Sequence, residues 1–167
     1  MTDRGEFDRL LAANDRYAES FPHSSLTAAP VRGLVIVTCM DARLDVLRAL
    51  GLDMGDAHII RNAGGLATDD VIRSLIVSQQ LLGTHEIVVI GHTGCGLLGA
   101  DESRLRDRLS DETGEALDLE FGSFDDLEAS VRASVERLRT HVWLKRVPIH
   151  GLVFDVATGR LSPVGPG

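Results

Sequence analysis

Apolar residues in this chain gather into short unbroken runs that alternate with stretches of helical periodicity, the pattern of a sheet covered on both faces by helices. The run Gly33-Leu34-Val35-Ile36-Val37-Thr38 and the run Glu86 to Gly91 lack polar alternation and read as central strands. A shorter strand is expected at Ala57 to Ile60. A last one is expected at His150 to Val156, after which Ala157-Thr158-Gly159-Arg160 turns the chain into an extension at Leu161 to Val164. Between the strands, Leu44 to Leu50 reads as a short helix stopped by Gly51. Asp69 to Leu82 reads as a longer one, with Thr68 or Asp69 as cap and Gly83 past its end. Asp101 to Leu109 is a further helix. Ser123 stands where it would cap another, whose Leu127, Val131, Val135, Leu138 and Val142 recur at helical spacing and read as core. Ahead of all this, Phe7 to Ser20 is a helix with Leu10, Leu11, Asn14 and Tyr17 near one face, and His23 to Pro30 is a loop of turn formers.

The 167 residues suit one domain and are too few for two of ordinary size, so the expectation is a single α/β domain over 1–167 with residues 1–30 as a helical arm. No apolar run nears the roughly 20 residues a bilayer span requires, so no membrane is expected as a partner. Asp3, Arg4, Glu6, Asp8 and Arg9 stand where a secretion signal would be apolar, and a cytoplasmic location with reduced thiols is expected. The stretch Asp101 to Glu128 holds eleven acidic and three basic residues and so accounts for the whole net charge of −8. That balance opposes nucleic-acid binding, which draws on a basic face to displace phosphate counterions. The acidic stretch itself reads as a solvated loop and helix.

Candidate chemistry collects at two strand ends. Cys39 follows the first run directly, and His92 with Cys95 follows the run ending at Gly91; these are the only two cysteines. Ligands gather at the carboxyl ends of strands in open α/β sheets, so on neighbouring strands these residues would meet. Two thiolates and one imidazole suit zinc, and three protein ligands leave a fourth position for water or substrate. Cys39 alone could equally be a small buried apolar residue, and the His-x-x-Cys alone is a weak signal. In Cys39-Met40-Asp41-Ala42-Arg43 a carboxylate and a guanidinium stand two apart, able to pair bidentately. If Arg43 holds Asp41, the fourth position stays open; if released, Asp41 becomes a possible fourth ligand in a closed state. His23, His58, His85, His141 and His150 read as structural or surface residues. Asp69 and Asp70 read as helix-capping residues that, with Arg73, could alternatively reach the cleft; Arg61 reads as either a sheet-edge ion pair or a contact to a partner chain.

With these residues in place, the chain resembles the β-class carbonic anhydrases, whose signatures C-x-D-x-R and H-x-x-C-G stand here as Cys39-Met-Asp41-Ala-Arg43 and His92-Thr-Gly-Cys95-Gly96. Arg61-Asn62-Ala63-Gly64 resembles the family's loop after the second strand, and Phe154-Asp155 its last strand more loosely. The likeness covers roughly Arg32 to Gly99 and is to the compact bacterial and mycobacterial type. Gly65 departs from the family, which often has a larger polar residue there. The resemblance implies a mostly parallel sheet of order 2-1-3-4 with a further edge strand. It implies Zn2+ on Cys39, His92 and Cys95, and catalytic roles for Asp41 and Arg43. The implied reaction is hydration of carbon dioxide to bicarbonate by a zinc-bound hydroxide. It also implies a homodimer or dimer of dimers clasped by the N-terminal helix. Carbonyl sulfide hydrolases resemble the same compact enzymes and carry the same ligands, so COS is the rival substrate. A zinc-binding regulatory module without turnover would leave the Asp41–Arg43 pair unexplained, and a redox pair lacks a C-x-x-C.

Overall fold

The computed structural model describes residues 5–165. Its centre is a five-stranded sheet in the order β2-β1-β3-β4-β5. The strands are β1 (Leu34–Cys39), β2 (Ala57–Asn62), β3 (Glu86–His92), β4 (Ile149–Phe154) and β5 (Leu161–Pro163). The first four are parallel and β5 returns antiparallel along β4. The expected fold class, an α/β domain with order 2-1-3-4 and an added edge strand, is the one found.

Successive side chains leave opposite faces of a strand, and the two apolar clusters follow that rule. On one face Val35, Val37, Ile87 and Val89 pack beneath α3 (Asp69–Leu81) and α5 (Leu127–Thr140). On the other, Ile36 and Ile90 pack with Leu44, Val46 and Leu52, around the five-residue helix α2 (Val46–Leu50). That second face is thinly covered, and Leu34, Ile59, Val88 and Leu152 stay half-buried on it. The helix α1 (Glu6–Glu19) has no buried residue at all.

Several boundaries differ from expectation, each for a local reason. Thr68 caps α3 through its hydroxyl, which accepts the N–H of Val71. α4 (Glu102–Thr113) runs past Leu109 and stops where Gly114 takes a positive φ of 75°. α5 is capped by Asp126, whose carboxylate accepts the Ala129 N–H, and not by Ser123, whose own N–H is held by Glu102. Val131, Val135 and Leu138 are core as expected, but Val142 lies beyond the helix end and is 80% exposed. β4 starts one residue earlier than expected and ends at Phe154. Among the described residues, no helix is long and apolar enough to cross a membrane.

Candidate active site

β1 and β3 are adjacent and parallel, so their carboxyl ends, Cys39 and His92, reach the same edge of the sheet. Three residues past His92, after a bend at Gly94 with φ of 63°, the chain brings Cys95 back to them. One ligand atom from each of the three residues lies within 4.8 Å of the other two, and all three residues are buried. No other such group of three converges among the described residues.

The chemistry of the donors fits a metal ion. Both cysteines are free thiols. His92 Nδ1 lies 3.0 Å from the Thr93 carbonyl, so a hydrogen on Nδ1 leaves Nε2 as the ring's lone-pair donor. That Nε2 is buried without a hydrogen-bond partner, which for a polar atom is costly unless something else occupies its lone pair. Burial pushes the Cys95 thiol up, with the neighbouring Cys39 adding to the rise; a coordinated cation reverses that preference by ionising the thiol outright. A soft donor set of two cysteine sulfurs and one imidazole fits zinc.

Asp41 faces this cluster, with Oδ2 3.8 Å from His92 Nε2. Arg43 grips it from the far side: Nε donates to Oδ1 at 2.9 Å, a terminal nitrogen to Oδ2 at 2.7 Å, and the Arg43 main-chain N–H to Oδ1 at 2.9 Å. These bonds hold the carboxyl well below the usual carboxylate range, so it is ionised at any ordinary pH. In return the carboxylate raises the Arg43 pKa further. The same arginine nitrogen that reaches Oδ2 also donates to the Gly94 carbonyl at 3.0 Å. One guanidinium thus joins the loop after β1 to the loop after β3.

The remaining singled-out residues fall into place around this core. Arg61, at the end of β2, makes no ion pair among the described residues. Its guanidinium donates to three main-chain carbonyls, Cys39 at 2.9 Å, Leu44 at 3.2 Å and Asp41 at 2.6 Å. Asn62 closes the following turn by holding the Leu66 N–H and carbonyl with its amide. Gly65 in that turn has φ of 67°, and a Cβ there would stand 3.0 Å from the Cys39 nitrogen. A side chain at position 65 would therefore press on main-chain atoms of β1 and β3. Asp70 and Arg73 pair with each other on the surface, and Asp69 pairs with Arg137, so neither carboxylate turns to the cleft. His58 bonds Ser78 and the Ala28 carbonyl, and His150 pairs with Glu86. The sequence signalled Cys39, Asp41, Arg43, His92 and Cys95; it did not signal the Gly94 link or the three carbonyls on Arg61, which depend on how two loops stand in space.

Comparison with known proteins is consistent with this geometry. The family profile described as carbonic anhydrase matches residues 34–161. The chain is 46% identical to beta-carbonic anhydrase 1 of Mycobacterium tuberculosis over 160 residues, covering 95% of this chain and 98% of that protein. It is 38% identical to a carbon disulfide hydrolase of Acidithiobacillus thiooxidans, over 79% of this chain and 77% of that one. The crystal structure of a carbonic anhydrase from Streptococcus mutans superposes with a TM-score of 0.92 at 42% identity, covering 98% of this chain and all of that one. The chain accordingly belongs to the carbonic anhydrase family, in its β class.

Proposed function

We propose that this protein catalyses the reversible hydration of carbon dioxide to bicarbonate with a zinc ion held by Cys39, His92 and Cys95. The observation that carries the reading is an ionised carboxylate, locked by Arg43, standing 3.8 Å from the imidazole of a buried Cys-His-Cys cluster. Bound there, zinc would supply Lewis acidity, making a water molecule acidic enough to lose its proton near neutral pH. Asp41 Oδ2 would accept a hydrogen bond from the attacking oxygen and so orient it towards the carbon of CO₂. It does so without taking the proton, because Arg43 keeps it strongly acidic. Arg43 also ties the Asp41 loop to the Cys95 loop through Gly94, so the two halves of the site keep their spacing. A structural zinc site has no use for such a pair, which weighs against a regulatory module without turnover.

Carbonyl sulfide is the second reading, and the carbon disulfide hydrolase relative favours it: that protein's named substrate is, like COS, a linear sulfur-containing analogue of CO₂. The near-complete coverage of the mycobacterial carbonic anhydrase supports CO₂ as the first reading. One comparison tests both, namely turnover of CO₂, COS and CS₂ by the zinc-loaded protein in a single buffer, alongside Cys39→Ser and Cys95→Ser. CO₂ hydration far above the other two, with zinc lost from both variants, is expected. Preferential COS turnover would transfer the assignment to the second reading, and full zinc retention by either variant would remove the ligand set.

A further inference from the structure

Arg61 is an exposed residue whose charge meets no carboxylate among the described residues, yet all three arms of its guanidinium are engaged. The carbonyls it takes belong to Cys39, Asp41 and Leu44, which are the first, third and sixth residues of the segment leaving β1. Once the chain departs from the sheet there, the ladder no longer orders it. Among the described residues, its backbone-to-backbone bonds there are Met40 N–H to the Asn62 carbonyl and Leu44 N–H to the Asp41 carbonyl, and the Arg43 N–H is held by the Asp41 carboxylate. Thr38 pairs with Arg61 across β1 and β2, so the guanidinium starts from a rigid strand and reaches over a neighbouring strand end. Asp41 is consequently held twice, by Arg43 on its carboxylate and by Arg61 on its carbonyl.

We propose that Arg61 is a positioning residue: its planar fork fixes the path of residues 39–44, and through that path the place of the Asp41 carboxylate relative to Cys39 and His92. A lysine could not do this, since one ammonium is a point donor and cannot span three carbonyls set along a turn. The inference rests on the hydration chemistry proposed above only for its kinetic arm; its structural arm is independent of turnover.

The test uses Arg61→Ala, Arg61→Lys, Asp41→Asn and the double variant Arg61→Ala/Asp41→Asn in the full-length chain. In zinc-loaded protein, Arg61→Ala is expected to lower kcat on the order of tenfold with KM held within about twofold and zinc content unchanged. Arg61→Lys should recover only part of that loss. Because Arg61 acts through Asp41, adding Arg61→Ala to Asp41→Asn should cost little more than Asp41→Asn alone, whereas independent effects would multiply. In metal-free protein, hydrogen exchange of the amides in residues 39–44 should accelerate about tenfold in both Arg61 variants while the amides of α3 and α5 keep the parent rate. Parent-like kcat in Arg61→Ala, multiplying losses in the double variant, or unchanged exchange in residues 39–44 would each overturn the proposal. If Arg61→Ala does not fold, Arg61→Lys carries both arms by the same criteria. A parent protein that fails to hydrate CO₂ would sink the functional reading and leave the exchange experiment to decide this one.

Discussion

Asp41 is strongly acidic because three donors from a single residue converge on it, and its usefulness to the chemistry depends on staying both ionised and aimed. Asp41→Asn removes the charge and Arg43→Ala removes the aim. Neither touches a metal-ligating atom. Both variants should keep the fold and the zinc while losing on the order of 10²-fold in CO₂ hydration, the scale typical of groups that orient a metal site's reactants. Stopped-flow rates with parallel metal analysis check this, and parent-like turnover in both would sink the roles given to the pair. At this scale most of the site was legible, since Cys39, Asp41, Arg43, His92 and Cys95 stand in two compact signatures. What a signature cannot carry is a bond between its members and a distant carbonyl. The Arg43 contact to Gly94 and the three carbonyls on Arg61 were invisible for that reason.

Among the elements, two short connections set the site's tolerances. The turn Ala63–Gly65 presses against the ends of β1 and β3, and Gly65 meets the Cys39 nitrogen, the Thr38 carbonyl carbon and the Ile90 oxygen within 3.1 Å of where a Cβ would lie. Gly65→Ala combines a left-handed backbone with a collision against main-chain atoms that cannot rotate away, and should cost about 1–3 kcal/mol or more in denaturant unfolding. A parent-like midpoint would show that the turn shifts freely. The second connection is the loop before α5. Glu102 accepts the N–H groups of Ser123 at 2.5 Å and Phe121 at 3.1 Å, with Arg106 beside it at 3.0 Å. Phe124 in turn bonds Leu97 and Gly99 just past Cys95. Those donors, Ser123 first, lower the Glu102 pKa from 4.5 to about 2. A depressed folded-state pKa contributes stability that is present above about 4.5 and lost as pH falls through about 2. Glu102→Gln should therefore show a shallower decline of unfolding free energy than the parent across that window, and parallel curves would refute the clamp. The same loop explains why Ser123 is not the cap that its sequence position suggests: a carboxylate on another helix holds its N–H, and Asp126, which the sequence reading did not single out, caps α5 instead. The central strands were easier, because the unbroken apolar runs Leu34 to Val37 and Ile87 to Ile90 are too short for helices and are flanked by turn formers.

For the molecule as a whole, two apolar surfaces lack a partner among the described residues. α1 leaves Phe7, Leu10, Leu11 and Tyr17 between 47% and 71% exposed, and the face of the sheet around α2 leaves Val88 and Leu152 half-buried. A second copy of the chain would supply cover for both, so we expect a homodimer, leaving open whether two dimers associate further. Light scattering at micromolar concentration should give about twice the 18.0 kDa chain mass, and Leu10→Asp/Leu11→Asp should shift it towards one. A monomeric parent would contradict this. The strand order followed from the family resemblance and not from periodicity, which cannot say which strands are neighbours. The exposure of α1 could not be read from its sequence either, since an amphipathic stripe looks the same whether its cover comes from the same chain or another. The placement of β1 beside β3 has one more consequence. The residues that would grasp the metal are distant along the chain and meet only after those two parallel strands have paired, so an ion seated there binds the folded chain and not the unfolded one. Its stabilisation then grows with the logarithm of free metal concentration. In a living cell, scarcity of the ion would raise the share of chains open to proteolysis, so that the standing quantity of this protein, and not only its turnover, would track metal supply.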